Sequence, residues 1–216
     1  MLPSELLSLF RVEMSDLAEP YLWSDAFIIG AIDDAQKQFA RMTDGIPDSR
    51  TPEVVELPVT AGTDSVATHP SILKIRGAYR GDNGRPVDVV NQEDMDARGL
   101  HFDGLPGRLR ALVIGADPNV GRLWPMPNEA LTLKLSVFRL PLVTITDDEP
   151  LEIAPQHHRH LLLWMKHRAY SVHDAETFDK TKAADFELAF ETYCVRAKAE
   201  QARARYKPRT VAYGGL

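Results

Sequence analysis

Cysteine is nearly missing from this chain. Cys194 is the only one in 216 residues, so neither an intrachain disulfide nor a cysteine-built zinc site can form, and the composition suits a reducing compartment. The first residues, MLPSELLSLFRVEMSD, have no basic region ahead of an apolar core, which argues against a secretory signal. No apolar run approaches the roughly 20 residues that span a bilayer, so the sequence predicts a soluble protein without a membrane partner. Positive charge is also short: 25 Lys and Arg against 31 Asp and Glu leave a formal charge of -6, which disfavours a general nucleic-acid binder. Glycine-rich phosphate loops, G-x-S-x-G, H-E-x-x-H and kinase signatures are all lacking, so the common motif-borne chemistries have no foothold. The expectation is a non-enzyme with no cofactor, no catalytic residue and no metal.

What is present is an ordinary globular composition, 44% hydrophobic and 26% charged, with enough apolar residues for a real core. Residues 3–11 suit a short helix. Ser24 or Asp25 can cap a second, in which Ile28, Ile32, Ala35, Phe39 and Met42 recur every three or four positions and form one apolar stripe ending near Asp44-Gly45. Between 54 and 140 the pattern becomes strand-like: Val54-Val55, 72–79, 87–90, 111–114 and 131–138 are β-prone runs, broken by turn residues at Asp82-Asn83-Gly84 and at 117–121. Leu131, Leu133, Leu135 and Val137 alternate with Thr132, Lys134, Ser136 and Phe138, the period of a strand with one buried face. Helical spacing returns after Pro155 with Leu161, Leu162, Met165, Ala169 and Val172. After a break at 173–177 it continues from about Asp179 to Arg205 with Ala183, Phe186, Phe190, Tyr193 and Ala197. The predicted fold is α+β, mainly a helical bundle (1–53 and 141–205) carrying an inserted antiparallel β module (54–140), with an extended tail at 206–216. Trp23, Ile28, Ile32, Phe39, Phe186 and Phe190 are the expected helical core.

Few residues invite chemistry. His157, His158, His160 and His167 fall on one predicted helix, where they suit a polar face or a pH-sensitive interface. A metal-assisted hydrolase built on His157 and His160 is the enzymatic alternative, although no third ligand accompanies them. Asp147-Asp148-Glu149 reads as a run of first-turn acids that favour the helix dipole. Cys194 reads as a small buried hydrophobe. The cluster of Arg196, Lys198, Arg203, Arg205, Lys207 and Arg209 is either a solvated helix end or a docking arm in which Val211 and Tyr213 supply apolar anchors; a small DNA-binding regulator using this basic helix is a further alternative.

The order of blocks resembles the head-to-tail adaptor, or connector, proteins of tailed bacteriophages, including the tail tubular protein A type. The resemblance rests on Leu22-Trp23-Ser24-Asp25, Ile32-Asp33-Asp34-Ala35-Gln36 and Phe39-Ala40-Arg41. It continues in Leu133 to Leu140 with Pro141-Leu142, in Ile153-Ala154-Pro155, and in the helix of Phe186, Phe190 and Tyr193 with its basic tail ending near Gly214-Gly215. It implies a structural virion protein, made in the host cytoplasm and placed at the head-tail junction, that self-associates into a closed ring of about twelve copies below the portal. The implied partners are the portal protein and a tail nozzle or tail-tube protein, with DNA only as passing cargo during ejection. Arg203, Arg205, Lys207, Arg209, Val211 and Tyr213 would then serve portal or subunit docking.

Overall fold

A computed structural model describes residues 1–97, 104, 106–146, 149–173 and 177–205. The chain forms two compact units: residues 1–43 with 144–216, and residues 44–143.

The first unit is helical. Helix α1 spans Pro3–Glu13, with Glu5 accepting from the Leu2 N–H at 2.9 Å, and α2 spans Asp25–Met42, capped by Ser24 Oγ accepting from the Phe27 N–H at 3.2 Å. The stripe read from the sequence is the buried face of α2, where Ile28, Ala31, Ile32, Ala35, Phe39 and Ala40 are all inside.

The second unit starts at a sharp exit from α2. Asp44 and Gly45 both have positive φ, and a Cβ on Gly45 would come within 2.9 Å of the Arg139 carbonyl oxygen, so only glycine fits there without a shift. Strand β1 (Ile46–Asp48), the short helix α3 (Pro52–Val55), β2 (Glu56–Val59), β3 (Ser65–Ala67), β4 (Ile72–Arg80) and β5 (Pro86–Asn91) follow. Next come helix α4 (Gln92–Ala97), β6 (Pro106–Gly107), β7 (Ala111–Asp117), β8 (Val120–Trp124), β9 (Met126–Pro127) and β10 (Leu131–Arg139). Seven strands lie in the order β1-β10-β4-β5-β7-β8-β3, with β2 joined to the other half of the β10 edge that carries β1; β6 and β9 form a separate pair. Strands β2 and β3 sit toward opposite ends of this order yet follow one another in the chain. The sheet curls so that Val54, Val55, Leu57 and Val59 share one core with Leu112, Leu123, Leu133, Leu135 and Val137.

The chain then returns to the helical unit through the 3-10 turn η1 (Pro155–His160), α5 (Leu161–Tyr170) and α6 (Lys180–Arg205). Helices α1 and α6 both pack on α2 and α5.

The expectation of a mainly helical bundle is overturned. Among the described residues helix makes up 42% and strand 26%, and the sheet is a large mixed one. It is not purely antiparallel either. β5 and β7 pair in parallel, with Val89 opposite Leu112 and Val90 opposite Val113, and such a pairing needs a crossover, in which α4 lies. The reason is legible afterwards in Ala111-Leu112-Val113, a run that does not alternate because both faces are covered: Leu112 enters the main core, while Ala111 and Val113 pack with Met95 of α4. Two local readings also change. Val54-Val55 is helix, since Pro52 opens a turn there, and the turn at 117–121 is tighter than expected, so that β8 already begins at Val120 and turns back along β7.

Candidate functional site

In the helical unit a few buried polar side chains hold the helix entry and the returning segment. Segment 14–24 has no ladder of its own, so Asp16 supplies partners, accepting from the Leu22 N–H at 2.9 Å and the Trp23 N–H at 3.4 Å. Arg11 reaches from α1 to the same carboxylate at 2.8 Å, to the Trp23 carbonyl at 3.2 Å and to Asp25, and its guanidinium lies over the Tyr21 ring at 3.7 Å. The Leu22-Trp23-Ser24-Asp25 block is thus a helix entry held by an Arg11–Asp16 clamp that the sequence reading missed. The signal was two opposite charges five residues apart beside a helix end.

The Ile32 to Gln36 block has an equally concrete task. Asp33 accepts from the Ile145 N–H at 3.4 Å, Gln36 Oε1 from the Glu152 N–H at 2.9 Å, and Asp34 from the Trp164 indole N–H at 2.9 Å. Three side chains within one turn of α2 therefore fix the segment that comes back more than a hundred residues later.

The histidines do not gather into a metal site. His157, His158 and His160 lie in the 3-10 turn and His167 in α5, so the single predicted helix is two elements. His157 hydrogen-bonds the Tyr193 hydroxyl at 2.8 Å through Nδ1, and His158 Nε2–H donates to the Ile153 carbonyl at 2.8 Å. His160 stacks on Tyr193 with ring centres 3.6 Å apart, and His167 Nδ1–H donates to the Ala183 carbonyl at 2.9 Å. Burial pushes His157, His158 and His160 below the ordinary imidazole value, so they are neutral packing groups. Among the described residues no three His, Cys, Asp or Glu side chains are placed to hold a metal. Cys194 is buried, and burial pushes its thiol up to about 12. Asp147 and Asp148 lie outside the described residues.

Of the expected helical core, Trp23, Ile28, Ile32, Phe39 and Phe190 are buried, with Phe190 against Trp164 at 5.3 Å. Phe186 is half-buried and stacks on Tyr170 at 5.9 Å.

Helix α6 is the unusual element. Ala183, Phe190, Cys194 and Ala197 face the unit's interior. At 3.6 residues per turn, Leu188, Thr192, Val195, Ala199 and Ala202 fall on the opposite side at spacings of four and three, and all are exposed, Leu188 by 63% and Val195 by 67%. An ordinary surface helix has one apolar stripe; this one has two. Arg196, Lys198 and Arg203 flank the outer stripe, and Arg203 and Arg205 end the helix. Lys207, Arg209, Val211 and Tyr213 lie outside the described residues.

A family model described as SU10 adaptor protein matches residues 1–212. The chain belongs to this family. Membership agrees with the resemblance to phage head-to-tail adaptors and makes the chain a structural adaptor and virion component, in a type of protein that is generally non-enzymatic. No curated protein matches it. No helix among the described residues is long and apolar enough to cross a membrane.

Proposed function

We propose that this adaptor assembles into a closed ring of about twelve copies at the head-tail junction, with the portal protein on one side and a tail nozzle or tail-tube protein on the other. The observation that carries the reading is the second apolar stripe of α6: Leu188 and Val195 are costly to leave in water on a free subunit and are well spaced to meet a helix of a neighbouring copy. The chain's formal -6, repeated around a ring, gives a lumen that DNA crosses without sticking. Residues 203–216, beginning in the last turn of α6, serve as the docking arm toward the portal, through the charges of Arg203, Arg205, Lys207 and Arg209 and the anchors Val211 and Tyr213.

Two experiments test this. Sedimentation of the full chain with purified portal should give a stable high-order assembly that Leu188→Glu with Val195→Glu abolishes while leaving thermal unfolding unchanged. An assembly indifferent to that double substitution removes α6 from the interface. Truncation after Arg205 should spare the fold and weaken portal binding; docking at full affinity would end the arm's role.

A further inference from the structure

The sheet unit holds a cleft lined by arginines, none of them a residue of α6. Arg80, at the end of β4, is 6% exposed and fixed: it donates to Asp82 at 3.1 and 2.9 Å and to Glu129 at 2.8 Å. Two cavities of about 410 and 390 Å³ adjoin at Arg80 and Arg108. The second is lined by Arg80, Arg85, Arg108 and Arg110 against a single carboxylate, Asp88. Asp82 and Glu129 pair with Arg80, so the two cavities together hold four arginines against three carboxylates, and the excess positive charge rests on Arg85, Arg108 and Arg110.

Arg85, Arg108 and Arg110 lie in connections, Arg85 between the 81–84 turn and β5 and the other two between β6 and β7. Leu109 is buried between Arg108 and Arg110, and both arginines are exposed and line the cleft. Arg110 is tied at 2.9 Å by the Asp88 N–H donating to its carbonyl and at 3.0 Å by its own N–H donating to the Trp124 carbonyl. Arg85 is held by its own carbonyl, which accepts from the Arg80 N–H at 2.8 Å. Among the described residues no carboxylate forms an ion pair with the side chain of Arg85, Arg108 or Arg110, whereas Arg80 has two. The cleft is therefore a set of guanidinium forks held close together at an electrostatic cost that an anion would relieve.

We propose that this cleft binds a short carboxylate-rich segment of a partner protein. Planar guanidinium groups match carboxylates bidentately, and the compact cavity suits two or three acidic side chains. Duplex DNA carries about one charge per 1.7 Å and needs an extended positive track, whereas Asp82, Asp88 and Glu129 border this cleft and would repel a continuous polyanion. A flexible acidic segment can seat its carboxylates on Arg85, Arg108 and Arg110 and turn its backbone N–H groups toward those bordering acids. The site lies wholly in residues 44–143 and does not rest on the α6 contact proposed for the ring.

The test uses the full chain with two fluorescent probes in low salt, an octaglutamate peptide and a 20-base-pair duplex, read by anisotropy. The peptide should bind the wild type and lose about tenfold or more in affinity in Arg108→Glu with Arg110→Glu, while Arg50→Glu, an exposed charge change in the same unit, leaves binding within about twofold. Arg108→Gln with Arg110→Gln, a milder pair, should give an intermediate loss and guards against misfolding of the reversed variant, with thermal unfolding recorded for all. Peptide binding that is absent, or equal in wild type and both pairs, overturns the proposal. Tighter binding of the duplex, lost in the same variants, would make the site a phosphate-backbone contact and overturn it as well.

Discussion

In the helical unit the buried set includes Arg11, Asp16, Gln36, His157 and His158, whereas the main core of the sheet unit is aliphatic throughout, from Val54 to Val137. The sheet unit keeps its strongest polar pairs away from that core, as Arg139 with Asp48 at 2.6 Å and Arg80 with Asp82 and Glu129. The contrast follows from how each unit satisfies its backbone. Strands serve one another's N–H and C=O groups through the ladder, so side chains are free to be apolar. The helices need only ends and connectors served, but segments 14–24 and 145–152 have no ladder, and Asp16, Asp33 and Gln36 supply the partners. Both units carry buried polar clamps, but in the sheet unit Arg80 and Arg139 stand outside the aliphatic cluster, while in the helical unit Asp16, Asp33 and Gln36 hold the connectors.

The sharpest way to test this contrast is to injure each core once. Phe190→Ala in the helical unit and Leu133→Ala in the sheet unit should each cost about 3–4 kcal/mol through cavity formation, since both side chains are fully buried. Tryptophan fluorescence can assign the losses, because Trp23 and Trp164 lie in the helical unit and Trp124 in the sheet unit. A clamp should matter nearly as much. Arg11→Ala leaves Asp16 buried without its ion-pair partner and should cost about 3 kcal/mol, a value to be read from urea unfolding. A loss below about 0.5 kcal/mol would mean that the helix entry holds without the clamp.

Acid should separate the units. His157 and His158 have values pushed below 6.5 by burial, so below that pH the unfolded chain binds more protons than the folded one. The helical unit's stability is therefore fully present above about pH 6.5 and falls as the pH drops below it. Asp48 acts in the same direction but at lower pH. Burial opposes its ionisation, but hydrogen bonds from Arg139, the Arg50 N–H and Thr51 outweigh this and hold the carboxyl well below its ordinary 3.8. The sheet unit should keep that contribution until the pH falls through the carboxylate range. Thermal unfolding at pH 7 and pH 5 should show the Trp23 and Trp164 signal weakened and the Trp124 signal unchanged; equal shifts would contradict the contrast. The smallest effect is expected at Phe186→Ala, about 1 kcal/mol, because that ring is half-buried and gives up mainly its stacking on Tyr170.

Where one face of an element is buried, its period was readable. The α2 stripe and the alternation of Leu131 to Val137 correspond to α2 and β10 as folded. The parallel β5–β7 pair was missed because β7 is covered on both faces and alternation vanishes there. Helix α4 was missed because only Met95 of its six residues is buried, too little to make a period. The outer stripe of α6 went unread for a related reason: Leu188 and Val195 lie among charged and small residues, and they stand out only once Phe190, Cys194 and Ala197 are seen to occupy the opposite side.

By itself the sequence determined the local elements with a single buried face and an order of blocks shared with the adaptor family; these depend on residues close together in the chain. Only the tertiary structure decided what distant residues do to each other. It joined Asp33, Asp34 and Gln36 to residues 145–164, drew β5 beside β7, and brought Arg85 next to Arg108 and Arg110. The physical reason is that periodicity records how deeply each residue is buried, while the identity of its partner depends on chain closure over many tens of residues, which no local pattern encodes.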